Sequence, residues 1–405
     1  MKAGGLVAAA LAASACSGHT PAAASKPVPA IAARPVLTFD KATLDTAYRA
    51  EAAGVFDVDH DGVLDLVTDQ YWYAGPTFQA HEIRTPETYD AANGFSVCFA
   101  VFPQDVNGDG WMDAVVIPRN SDPTMAGAEP VYWYENPKQA DVHWTQHEVA
   151  PAVAVETAVY VDLFGDGHEE VVMGQAPQNV LVWAVPGADP TQAWVQHAIS
   201  APGFAGAGTF VHGLGAGDVD GDGRVDVLTS SGWFQATADR DTWKWHAVDF
   251  ATNACSDMYS YDFNGDGLPD ILCARPHDYG IHWLEQQAVR PGAERTFVDH
   301  LIDDAISEMH AVDMHDLDRD GVPEIVSGKR YWAHGPTGDP GATDPAVLVY
   351  YALRRDSSGA VAFDKHVIDT DSGVGTSLAV TDVDGDGKPD VVVSNKKGLF
   401  FFRQK

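Results

Sequence analysis

The sequence predicts an all-β chain closed into a seven-bladed β-propeller, and three observations lead there. An acidic nonapeptide, D-x-[D/N]-x-D-G-x-x-[D/E], starts at Asp57, Asp105, Asp162, Asp218, Asp262, Asp316 and Asp382. Short aliphatic and aromatic runs flank the copies, such as "VDVLTSSGWF" and "PDILCARP", with the composition of β-strands. Residues 39–45, "FDKATLD", match residues 363–369, "FDKHVID", almost position for position, so the N-terminal strand is expected to complete the blade that the C-terminal "LFFFRQK" leaves open. A repeated unit buries its apolar face only against its neighbours. Closing the ring removes exposed sheet edges.

Four strands per unit follow from the pattern. One strand precedes each acidic loop and one follows it. An aromatic third strand comes next, as in "VYWYENP", "NVLVWAV", "GIHWLEQ", "VLVYYAL" and "GLFFF". The fourth reads aromatic-x-x-His-x-aliphatic in "WTQHEV", "WVQHAI", "FVDHLI" and "FDKHVI", with looser copies at "QAHEI" and "KWHAV". These six copies serve seven loops, and the missing one is the N-terminal strand. An EF-hand is excluded, because strands flank the loops and the bidentate Glu at position twelve is absent.

The loops read as ligand sets for a hard cation. The third position holds Asp59, Asn107, Phe164, Asp220, Asn264, Asp318 and Asp384. The fifth holds Asp61, Asp109, Asp166, Asp222, Asp266, Asp320 and Asp386, and the ninth holds Asp65, Asp113, Glu170, Asp226, Asp270, Glu324 and Asp390. Alternate oxygens around a tight turn, with a glycine at position six free to take positive φ, suit calcium. Without a cation, the clustered carboxylates repel at about 1 kcal/mol or more per close pair. The bland alternative is a solvated acidic turn, but glycine and spacing recur together. Phe164 removes a ligand, so six loops are expected to bind calcium and the third to be weak or empty.

The chain carries 58 acidic against 25 basic residues, a formal charge of −33. Nucleic acid and anionic membrane surfaces would repel it. Residues 1–16 read as a signal peptide: the apolar run from Leu6 to Ala15 is too short to span a bilayer. Ala13-Ser14-Ala15 is a cleavage site, yet Cys16 follows at once as in a lipobox, so cleavage and lipid anchoring at Cys16 both stay open. The protein is expected to be exported, either periplasmic or cell-surface anchored, or otherwise secreted. Residues 17–35, rich in Ala, Pro and Ser, read as a disordered tether, and residues 36–405 as the propeller. Three further cysteines remain, Cys98, Cys255 and Cys273; pairing of the last two within one hairpin is left open.

The seven loops resemble the FG-GAP/VCBS repeat family, the calcium-loop propellers that include the integrin α head, over about residues 36–405. "SEMHAVDMHDLDRDG", "GKRYWAHGPTGD" and "SGVGTSLAVTDVDGDG…SNKKG" further resemble secreted bacterial relatives of the propeller part of aldos-2-ulose dehydratase. The cupin domains of that family are absent. The resemblance implies a propeller fold, calcium loops and carbohydrate chemistry.

In a propeller, residues before and after each loop-bearing hairpin meet at the face opposite the loops. Six residues before each first Asp stand Glu51, Phe99, Glu156, His212, Ser256, His310 and Thr376. These are expected to ring the channel mouth. Five or six residues past the last acid stand Gln70 and Tyr71, Arg119, Gln175, Ser231, Arg275, Lys329 and Arg330, then Asn395 and Lys396. The recurring bases predict a locally positive mouth that favours a carboxylate or a developing oxyanion. Glu51, Glu156, His212 and His310 form a candidate site for a second, softer metal, zinc or manganese, or an acid and base pair. Polar groups at a mouth also bond neighbouring loops, and Arg275, Lys329 and Arg330 also fit ion pairing between blades. Asp257 and His315 are alternates, and Lys397 reads as solvated. Trp133, Trp183, Trp233 and Trp283 read as packing between blades, and His147, His197, His300 and His366 as structural. Tyr71, Trp72, Tyr331 and Trp332, near the Gly/Pro-rich loop 333–345, are candidates for a sugar platform.

Two functions are carried forward. The first is a lyase or dehydratase on an oxidised or acidic sugar, in which His212 or His310 takes a proton α to a carbonyl. Arg275, Lys329 and Arg330 then hold the enolate, while Arg119, Tyr71, Tyr331, Trp332, Asn395 and Lys396 contact the sugar. The alternative is a non-catalytic, surface-anchored propeller that binds glycan or protein. A monomer is expected. No nucleotide-binding or zincin motif is present.

Overall fold

The computed structural model describes residues 28–119, 129–248, 250, 254–288 and 293–405. The signal peptide, Cys16 and most of the expected tether lie outside them. Among the described residues the chain is all-β apart from one short 3-10 turn, Ala205–Ala207. No helix is long and apolar enough to cross a membrane.

The strands form five four-stranded antiparallel sheets and one sheet of eight strands. The innermost strands are Gly54–Phe56, Cys98–Gln104, Val159–Val161, Leu214–Gly217, Asp257–Tyr261, Val312–His315 and Leu378–Thr381. They succeed one another around a common axis, and the last packs on the first. The arrangement is a β-propeller. Phe39–Asp45 pairs antiparallel with Gly398–Gln404, Phe39 opposite Gln404, so the chain start closes the sheet of the chain end as expected.

Seven blades were expected; the described residues instead form five four-stranded blades and one eight-stranded sheet. Leu214–Gly217 and Asp257–Tyr261 pair in parallel, which joins their two four-stranded units into the eight-stranded sheet. The stretch "LGAG" permits it: a Cβ on Gly215 would stand 2.0 Å from the Met258 carbonyl oxygen. Only glycine lets the two backbones approach that closely.

All seven acidic loops fold alike. The sixth-position glycine has φ between +84° and +90° in every loop, and its N–H donates to the first Asp at 2.8–3.0 Å. The ninth-position acid points inward and staples the loop to the sheet. Asp226 accepts from Val219 N at 2.9 Å and from Ala236 N at 2.8 Å, and Asp65, Asp113, Asp270 and Asp390 repeat the pair of bonds. Burial first, then the neighbouring loop carboxylates, push the Asp226 carboxyl up to about 7. The Phe164 side chain of the third loop packs on Trp183, with ring centroids 5.0 Å apart, rather than lining the loop.

Six outer pairs of strands set an aromatic ring against a histidine. Trp72, Trp133, Trp183, Trp233 and Trp283 stack on His81, His147, His197, His246 and His300, and Tyr350 lies against His366. These are directly opposed cross-strand pairs, the unit of sheet stabilisation. In the closing strand, Ala42 faces Phe401 in that place.

Residues ahead of position 36 pack on the propeller. Ile31 bridges to Arg355, and Arg34, only 8% exposed, reaches the sixth acidic loop, with Nε 2.9 Å from Asp320 and further contacts to Asp318 and Glu324. Cys255 and Cys273 form a disulfide, and Cys98 is a buried free thiol.

Candidate metal centre at the channel mouth

Equivalent positions of the repeat do converge at one face. Thr376 Oγ1 donates to Phe99 O at 2.8 Å and lies 3.2 Å from Glu51 O, so three of the counted positions touch. Glu156, His212 and His310 form a second group, each placed just before an innermost strand. His277, on the hairpin turn between Asp270–Ala274 and Tyr279–Gln286, completes it.

One ligand atom from each of Glu156, His212, His277 and His310 lies within 4.8 Å of the others. His212 Nε2 is 2.6 Å from His277 Nε2 and 3.2 Å from Glu156 Oε2. His310 Nδ1 lies 3.1 Å from Glu308 O, to which it donates; that fixes the tautomer and leaves Nε2 as a buried lone pair without a partner, 3.9 Å from Glu156 Oε1. The local backbone sets these orientations. Glu156 N donates to Val211 O at 3.0 Å, and Ser230 Oγ donates to His212 O at 3.0 Å.

Burial, more than any neighbour, pulls the His212 imidazolium down to about 4, and burial with Arg330 holds His310 well below its usual range. Both rings are neutral at pH 7. Burial pushes the Glu156 carboxyl up, but His212 and Arg330 outweigh it, and the group stays below the usual carboxylate range. Neutral imidazoles beside an ionised carboxylate are a donor set for a borderline divalent metal.

Glu51 is not in the cluster: Arg330 donates to its Oε1 at 2.9 and 2.8 Å, and Tyr48 Oη donates to its Oε2 at 2.7 Å. Arg330 also donates to Glu156 at 2.7 Å, and Lys329 forms a buried ion pair with Glu308. These two bases therefore neutralise protein carboxylates, where a positive mouth was expected. Arg275 Nε turns to His282 at 3.2 Å, away from the cluster. Asn395 donates to Ser372 O at 2.9 Å and braces a turn. Arg119 follows Asp113–Pro118, its N–H donating to Val97 O. Tyr71 packs beside Tyr73 and under Arg49, whereas Tyr331 and Trp332 stack at 4.4 Å. Asp257 and His315 lie along the central channel strands, and Lys397 pairs with Asp371.

Lys396 is a buried base with no carboxylate hydrogen-bonded to it among the described residues. It is 5% exposed, donates to Trp332 O at 3.0 Å and lies 4.3 Å over Phe95, the ring that Arg330 also approaches at 5.8 Å. Burial foremost pulls its ammonium down to about 8. His277, Glu308, Asp339 and Phe95 were not singled out from sequence. His277 stands two positions beyond the register that yielded Arg275, so an extended count would have found it.

The fold and the repeated loops define a propeller of acidic-loop repeats. The FG-GAP-like repeat family matches residues 105–173, 162–229 and 262–327, and the FG-GAP repeat matches residues 374–398. The chain belongs to the FG-GAP repeat family. Among solved structures it is similar to the exotype rhamnogalacturonan lyase YesX, at 13% identity and a TM-score of 0.47, over 88% of this chain and 72% of that one. It is also similar to the V. cholerae biofilm matrix protein Bap1, at 14% identity and a TM-score of 0.37, over 86% of this chain and 77% of that one. No curated protein matches the sequence.

Proposed function

We propose that the chain is an exported, calcium-stiffened propeller whose mouth cluster holds one zinc or manganese ion and works as a lyase on a carbohydrate carbonyl compound. The observation that carries this reading is the convergence of Glu156, His212, His277 and His310 within 4.8 Å. An ion bound there supplies Lewis acidity to a sugar carbonyl oxygen. Lys396 supplies the base: its amine takes the proton α to the carbonyl, the β C–O bond breaks with its electron pair on oxygen, and the ammonium returns the proton to the departing hydroxyl. Tyr331 and Trp332 offer the sugar a stacking face. The eight-stranded sheet is read as two blades fused at their inner strands, which gives seven repeats around the axis. The disulfide Cys255–Cys273 supports an oxidising compartment.

The direct test is metal analysis of the purified protein, with an assay of uronates and ketoglycosides for unsaturated product absorbing in the ultraviolet. Absence of both a transition ion and product would leave the surface-anchored glycan or protein binder. That second reading draws on Arg330 and Lys329, which are held by carboxylates and are therefore not free to meet an anionic substrate.

Lys396 gives a pH signature. Activity should rise with pH through an apparent pKa near 8 as the amine is freed, and Lys396→Met should cost about 10²–10⁴-fold in kcat with metal content unchanged. A profile flat from pH 6 to 10 removes Lys396 from this role. The stability effect has a defined sign. The folded pKa lies below the unfolded value, so the unfolded chain binds more protons between about 8 and 10.5 and the cost of burying this charge is relieved as pH rises across that window.

We propose calcium for the acidic loops, and their geometry supports this reading. Asp57, Asp59 and Asp61 converge, as do Asp218, Asp220 and Asp226, and Asp57 Oδ1 and Asp382 Oδ1 are buried acceptors without a partner. Asp105 and Asp262 begin loops of the same form. The sixth loop, Asp316 to Glu324, already has Arg34 against it, so its affinity should be lower. Chelation should lower Tm, since an ion at 100 times its Kd contributes about 2.7 kcal/mol per site. A melting point unmoved by EDTA would exclude filled loops.

A further inference from the structure

We infer that Asp339, carried to the mouth by the loop 333–345, is a positioning residue for His277: its carboxylate takes the Nδ1–H of that ring and turns the Nε2 lone pair onto Glu156, His212 and His310. The inference rests on the metal reading above. His277 is the ligand most in need of such a partner. His310 is fixed by Glu308 O and the His212 backbone by Ser230, whereas His277 stands on a hairpin turn with 29% of its side chain exposed.

Asp339 lies where the task requires. Its Oδ1 is 3.2 Å from His277 Nδ1, within ion-pair reach though short of an aligned hydrogen bond, and its Oδ2 is 2.9 Å from His334 Nδ1. The two imidazoles stack at 4.6 Å with 24° between their planes. An imidazole binds a metal in its own ring plane, so near-parallel stacked rings are poorly disposed to share a second ion. One carboxylate bridging two N–H groups fits that stack. A carboxylate behind a ligating histidine fixes its tautomer and raises its basicity.

The loop is anchored on both sides of Asp339. Ala333 N donates to Glu308 Oε1 at 3.1 Å, Gly335 passes so close to Ala92 that a Cβ would stand 2.6 Å from its carbonyl oxygen, and Tyr279 Oη donates to Asp344 at 2.5 Å. Asp339 itself is 7% exposed.

The test uses the full chain stripped of transition metal and titrated with cobalt(II), read by its visible absorption, for the parent protein, Asp339→Asn, Asp339→Glu and Asp344→Asn. Asp339→Asn should weaken cobalt about 10–100-fold, Asp339→Glu should recover part of the loss, and Asp344→Asn, which loosens the same loop, should stay within about threefold. Nitrogen-15 spectra of the metal-free protein should show His277 as the Nδ1–H tautomer in the parent and as a mixture in Asp339→Asn. Equal cobalt affinity in the parent and Asp339→Asn overturns the assignment alone, as does an equal loss in Asp344→Asn, which would make the loop a mere clasp. A parent protein without saturable cobalt binding overturns the metal centre and this inference together.

Discussion

Arg330→Met is expected to lower the unfolding free energy by about 3–5 kcal/mol, because it leaves two carboxylates inside the protein without their cation. Arg330 is 1% exposed and Glu51 is fully buried. The guanidinium joins Glu51, beside the first innermost strand, to Glu156, beside the third, from a place just past Glu324–Gly328 in the sheet of the sixth acidic loop. It therefore ties across the ring mouth rather than within one sheet. Arg330→Lys should recover only part of the loss, since an ammonium cannot present the planar fork that reaches both acids. The double variant Arg330→Met, Glu51→Gln should be more stable than the single one, because it removes a stranded charge. Urea unfolding measures each; a loss below about 1 kcal/mol for Arg330→Met would equate the pair with a surface ion pair and refute the clamp.

His310→Ala is expected to abolish tight transition-metal binding and to reduce turnover by about 10³-fold or more, given that a metal centre supplies several kcal/mol of transition-state stabilisation. His310 Nε2 is a buried cluster nitrogen with a lone pair and no protein partner. His212→Ala should behave alike. His315→Ala is the control: His315 ends an innermost strand beside the sixth acidic loop, and its loss should leave metal content intact. Metal analysis with circular dichroism separates loss of the ion from loss of the fold. Full metal content in both cluster variants would sink the centre.

Much of the ring was legible because its signals are local and repeated. The glycine at position six is needed at positive φ in every loop, and the match between "FDKATLD" and "FDKHVID" marks the closing strand in the residues themselves. The mouth was half legible. A fixed register brought out Glu156, His212 and His310 because equivalent backbone positions face the same axis. That same count could not tell that Glu51 is taken up by Arg330, or that Arg275 leans on His282. Side-chain partners depend on rotamers and on residues far away in sequence, 279 positions in the case of Arg330 and Glu51. The fusion of two units through Gly215 was equally hidden, since it needs the distance between two backbones rather than the identity of either.

The sequence by itself determined the repeat, the acidic loops, the strand pattern and the closure of the circle, because hydrophobic period and turn chemistry act within a few residues. Only the tertiary structure decided which charges neutralise one another, that His277 joins the cluster, and that Asp339 stands behind it. Those choices belong to packing, where burial makes each charged group depend on whatever partner the fold brings within about 3 Å of it.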